Sequence, residues 1–111
     1  MSTLRINSER LHNRMEMLAK IGARPDGGVC RLAFSQLDLD GRTYVRDLME
    51  EAGLEVRIDA VGNLFGIWHS TNSKPALMVG SHTDTVATGG QYDGALGVLA
   101  ALEAVETILE E

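Results

Sequence analysis

An apolar run, a His-x-Asp pair, a glycine-bearing loop and a long apolar helix, in that order, leave a chain few ways to fold. Between Ala76 and Leu102 the sequence reads ALMVGSHTDTVATGGQYDGALGVLAAL. The run Ala76 to Val79 is short enough for one strand buried on both faces. It ends in Gly80-Ser81-His82-Thr83-Asp84, and Asp93-Gly94 then opens an apolar helical stretch, Ala95 to Leu109. A buried strand would thus deliver a His and an Asp to its C-terminal mouth, with a second Asp at the next helix start. In α/β folds, ligands bind outside the carboxyl ends of central strands.

The flanking sequence supplies elements to pack around that strand. Asn7 or Ser8 can cap a first helix, with Glu9 in its first turn, and Leu11, Met15, Leu18 and Ile21 recur at helical spacing before Gly22. The opposite side carries Arg10, Asn13, Arg14 and Lys20, which reads as an amphipathic helix lying on a core; His12 beside the stripe reads as a surface histidine. Residues 22–30, GARPDGGVC, form a loop whose Gly27-Gly28 fits no phosphate-binding pattern. Ser35 and Asp38 have capping-box spacing, predicting a second helix from Gln36 that closes at Gly53. Gln36, Asp38, Asp40, Gly41 and Asp47 fall at calcium-loop positions, but the first and last are not the acidic residue and Glu that calcium needs. Leu54, Val56 and Ile58 alternate with Glu55, Arg57 and Asp59, predicting a half-buried strand, and Leu64 to His69 returns as its hairpin partner. Trp68 is expected to pack in the core or on the sheet edge, and His69 to face water.

Composition excludes several classes. A net charge of −6 with no basic cluster argues against nucleic-acid binding, and no apolar run approaches a membrane span. Cys30 has no partner for a disulfide, and the first ten residues, MSTLRINSER, have no hydrophobic segment. Both features predict a cytoplasmic location. With 111 residues the chain makes one domain or part of one.

His82 and Asp84, two residues apart at a strand end, point to one side. A carboxylate that orients a metal-bound imidazole is a recurrent device, and one His with one or two Asp suits zinc or manganese better than calcium. Spacing alone leaves two readings of Asp93 open: a metal ligand, or the N-cap of the last helix.

Gly80 to Val86 and Gly89 to Val98, taken together, resemble the metal-site signature of the M20 metallopeptidase-like amidohydrolases. Within that superfamily they resemble the hydantoinase/carbamoylase branch: N-carbamoyl-L-amino-acid hydrolases, allantoate amidohydrolases and β-ureidopropionases. The resemblance extends through Gly27–Leu32 and Asp59–Leu64. It implies an α/β fold, the N-terminal part of a three-layer α/β/α zinc-peptidase-like (phosphorylase/hydrolase-like) catalytic domain. It implies that His82 ligates one metal, that Asp93 bridges two, and that Asp84 is a catalytic-site carboxylate holding His82. Two divalent ions (Zn, Mn or Co), a small ureido or N-carbamoyl substrate and a homodimer in the full-length protein are also implied, with no nucleic-acid or membrane partner. Family members are several times longer, so residues 1–111 are expected to be an incomplete N-terminal part of the catalytic domain, inactive alone. The dimerisation or lid domain, the remaining ligands and the general base would lie elsewhere. Glu110-Glu111 continues the last helix in register with Glu103 and Glu106 and reads as a solvated helix end, not as the family's Glu-Glu pair. His12 and His69 do not stand at family ligand positions. The other reading of so short a chain is a non-catalytic metal-binding or self-associating module.

Overall fold

The computed structural model describes residues 3–111. In chain order its elements are α1 (Ser8–Lys20), α2 (Gln36–Glu51), β1 (Glu55–Ile58), β2 (Leu64–Ile67) and α3 (Ala95–Leu109). No helix among the described residues is long and apolar enough to cross a membrane.

Each helix starts where its polar cap permits. Asn7 accepts a hydrogen bond from the Arg10 backbone N–H at 2.9 Å, with Glu9 in the first turn and Lys20 in the last, both favourable to the helix dipole. At α2 the Ser35 hydroxyl accepts from the Asp38 N–H at 3.2 Å. The Asp38 carboxylate reaches back to the N–H of Phe34 at 2.9 Å, one residue earlier than in a standard capping box. Phe34 takes a φ of 66° there. The far end of α2 closes as a Schellman turn: Leu54 N–H donates to Met49 and Gly53 N–H to Glu50, both at 3.0 Å, with Gly53 at φ 84°.

That turn feeds directly into the antiparallel hairpin, in which Glu55 pairs with Ile67 and Ile58 with Leu64. Asp59 organises the connection, its carboxylate accepting from the N–H groups of Val61 and Asn63. Helix α2 lies across the hairpin so closely that a Cβ on Gly66 would sit 2.9 Å from the Met49 sulfur. Helix α1 packs on α3. Met15, Leu18, Val45, Leu48, Leu54, Ala95, Leu99 and Leu102 from all these parts form one buried core.

Three expectations need correction. The segment Ala76 to Val79 is not a buried strand: Leu77 is 97% exposed and Met78 78%. A strand covered on both faces needs hydrogen-bonding neighbours and two packing layers, and the described residues supply neither to this segment. Trp68 is 57% exposed rather than packed. The helix end read as solvated is not wholly so, because Glu110, like Glu103 and Glu106 before it, is met by an arginine of α1, Arg10 or Arg14. Glu103 is fully buried, and its carboxylate takes two bonds from Arg10, at 2.7 and 2.8 Å, in a bidentate pair. The hydrogen bonding from Arg10, aided by the Asn7 N–H and the Thr107 hydroxyl, holds the Glu103 carboxyl below its usual range despite burial.

Candidate metal centre

The site forms where the segment Gly80 to Asp84 meets the N-terminus of α3. Two glycines three residues apart on the helix allow the approach. A Cβ on Gly94 would fall within 2.5 Å of His82 Nδ1, and one on Gly97 within 2.7 Å of Ser81 Cβ. Gly94 is itself the N-cap of α3, at φ 74°, a conformation that L side chains resist.

No side chain caps α3. The capping reading of Asp93 therefore fails: its carboxylate is 86% exposed and stands free of the helix end, on the His82 side. The structure brings all three predicted residues together. His82 Nδ1 lies 2.9 Å from the main-chain carbonyl of Asp84 and 3.5 Å from the Asp84 carboxylate. His82 Nε2 faces the Asp93 carboxylate at 3.9 Å. A carbonyl oxygen can only accept, so this contact calls for a proton on Nδ1, which in a neutral ring leaves Nε2 as the nitrogen able to ligate. An imidazole nitrogen 3.9 Å from a carboxylate oxygen is a spacing that a cation between them can close. Donors on tetrahedral zinc lie roughly 3.4 Å apart, so the observed gap needs a closure of only about half an ångström. Among the described residues no group of three or more His, Cys, Asp or Glu side chains gathers to hold a metal unaided. An imidazole nitrogen and a carboxylate fit part of a zinc or manganese shell, with Asp84 supporting the imidazole.

The other histidines lie elsewhere. His12 pairs with Glu16 at 3.1 Å on the exposed side of α1, and His69 pairs with Glu55 at the hairpin end.

Sequence reasoning overlooked Arg31. It is 1% exposed, and its Nε donates to the Thr83 carbonyl at 2.8 Å while Nη1 donates to Leu18 O at 2.9 Å and to Ile21 O. Burial lowers its pKa, opposed by the charges of Asp38 and Asp84. The stem passes over α2 where Gly41 leaves room: a Cβ there would come within 2.8 Å of Arg31 Cδ. A glycine inside a helix costs about 1 kcal/mol, and Gly41 was the one signal in the sequence that something large crosses α2.

No protein-family model matches the chain. It is 46% identical to an N-carbamoyl-L-amino-acid amidohydrolase of Pseudomonas sp. (strain NS671), over 99% of this chain and 27% of that protein. It is 47% identical to the allantoate amidohydrolase of Bacillus subtilis (strain 168), over 86% of this chain and 24% of that protein. The crystal structure of a hydantoinase/carbamoylase family amidase from Burkholderia ambifaria superposes with a TM-score of 0.94 at 42% identity, over 98% of this chain and 27% of that one. The chain thus spans about a quarter of the length of the relatives it matches.

Proposed function

Because the chain belongs by sequence and fold to the hydantoinase/carbamoylase family, we propose that it carries a metal half-site of an amidohydrolase that cleaves the C–N bond of N-carbamoyl-L-amino acids. The observation that supports this most directly is His82 Nε2 lying 3.9 Å from the exposed carboxylate of Asp93, with Nδ1 2.9 Å from the Asp84 carbonyl. His82 and Asp93 are the ligands, and Asp93 has a second oxygen to share with a second ion. Asp84 fixes the ring through its carbonyl and adds a nearby negative charge. The chemistry that two divalent ions (zinc, manganese or cobalt) supply in such a site is polarisation of the ureido carbonyl and acidification of a water. The carboxylates of Glu103, Glu106 and Glu110 are engaged by Arg10 and Arg14, so none of them serves as general base. On this reading the chain alone releases no ammonia from an N-carbamoyl amino acid, and the full-length enzyme is a cytoplasmic homodimer.

Allantoate is the second substrate reading, favoured by the 47% identity to the Bacillus subtilis enzyme. Calorimetric titration with Zn²⁺ and Mn²⁺ tests the half-site. Binding by the wild-type chain that disappears in both His82→Ala and Asp93→Ala supports it. A wild-type chain that binds neither ion, or variants that bind as well as wild type, would overturn it.

A further inference from the structure

We propose that Arg31 is a positioning residue for this site, setting the tautomer of His82 by gripping the main chain on both sides of Asp84. The ligand role of His82 rests on the function proposed above; the grip itself is independent of it.

Asp84 Cα joins two peptide units, and Arg31 holds both. On one side, the Thr83 carbonyl accepts from Arg31 Nε at 2.8 Å. On the other, Thr85 N–H donates to the Arg31 carbonyl at 2.7 Å. The second bond runs main chain to main chain and orients the peptide that faces His82; the guanidinium, through the Thr83 carbonyl, holds the Asp84 segment in place to make it. Thr85 N–H and Asp84 C=O belong to the same planar trans peptide and point in opposite directions. Drawing that N–H toward Arg31 turns the Asp84 carbonyl away from it, and that carbonyl is the group that accepts from His82 Nδ1 at 2.9 Å. Arg31 N–H also donates to Thr85 Oγ1 at 2.7 Å, closing a two-way clasp between residues 31 and 85.

The clasp has a fixed base. Nη1 is tied to the carbonyls of Leu18 and Ile21 at the end of α1, where a cation complements the helix dipole. A planar fork can bond the end of a helix and a loop carbonyl at once; a lysine ammonium lacks that rigid spread. The guanidinium thus transmits the position of α1 to the segment that carries His82 and Asp84, without touching either side chain. Neighbours that orient a ligating histidine change metal affinity by roughly 10–100-fold.

The test uses the chain labelled with ¹⁵N at histidine, at pH 8 without metal, as wild type, Arg31→Met, Arg31→Lys and Leu48→Ala. Leu48→Ala is a control that disturbs the core away from the clasp. The wild-type His82 ring is expected to show one tautomer, Nδ1–H. Both Arg31 variants are expected to show the mixture dominated by Nε2–H that a free imidazole adopts, and Leu48→Ala the wild-type pattern. Zn²⁺ affinity, measured below the unfolding range of each variant, should fall at least tenfold in Arg31→Met and be unchanged in Leu48→Ala. If Arg31→Met does not fold, Arg31→Lys carries the same reading. Retention of the wild-type tautomer in a folded Arg31 variant overturns the proposal, as does an equal shift in Leu48→Ala. A wild-type chain that binds no zinc refutes the metal reading alone, since the tautomer is read in the metal-free protein.

Discussion

Replacing Arg10 with Met keeps the apolar stem and removes the guanidinium from the buried Glu103 carboxylate. Glu103 would then keep the N–H of Asn7 at 2.8 Å, the Thr107 hydroxyl at 3.2 Å and Arg14 at 4.0 Å. Breaking a buried ion pair from one side costs about 3–5 kcal/mol. Those surviving partners, and the 23% exposure of the Arg10 side chain, place this case at the low end, about 3 kcal/mol. For a chain of this size that is a fall in Tm of roughly 12 °C. The pH dependence has a definite sign. The carboxyl of folded Glu103 titrates below its ordinary value of 4.5, so its stabilisation is complete above that value and is lost as pH falls through the lower folded value. Urea unfolding followed by far-UV circular dichroism should therefore show a wide gap between wild type and Arg10→Met at pH 7 that narrows below pH 4 or so. Adding Glu103→Leu to Arg10→Met should recover most of the loss, because no charge is left buried. A loss under about 1 kcal/mol, typical of a surface pair, would refute the reasoning, and so would a gap that persists in acid.

Gly94→Ala should abolish zinc binding in calorimetry, because its Cβ would occupy the position of the His82 ring and its φ of 74° disfavours any side chain. Asp84→Asn should be milder: the main-chain carbonyl still holds Nδ1, so zinc affinity falls roughly tenfold while the His82 tautomer, read by ¹⁵N NMR, is retained. Asn7→Ala removes the cap of α1 and should lower stability by about 1 kcal/mol in a urea titration, leaving the backbone bond from residue 7 to Glu103 in place.

Local chemistry made the elements legible. Asn7 and Ser35 mark helix starts because a cap acts within three residues, and Gly53 and Leu54 mark an end for the same reason. The His82–Asp84–Asp93 cluster was legible from the two-residue spacing of His82 and Asp84 and from the glycine loop before Asp93, although the strand expected to carry it is not formed. Arg31 was not, because nothing near it in sequence shows that α1 and the Thr83 carbonyl converge there. The burial of Glu103 was hidden for a related reason: a helical wheel shows a polar stripe, while its partner Arg10 is 93 residues away. The exposure of Leu77 and Met78 shows the opposite limit. Apolar character states what a segment needs, and neighbours decide whether it is met.

The span of these contacts also orders events in time. Helix α2, its Schellman turn and the hairpin are joined by contacts between near neighbours along the chain, such as Leu54 to Met49. Arg31 to Thr83 closes 52 residues and Arg10 to Glu103 closes 93. Loop closure must precede the contacts that reward it, so the α2–hairpin unit assembles early and the His82 site takes shape when the chain's first and last helices meet. An ion held by His82 and Asp93 would then act on the finished arrangement alone, slowing unfolding while leaving the rate of folding almost unchanged.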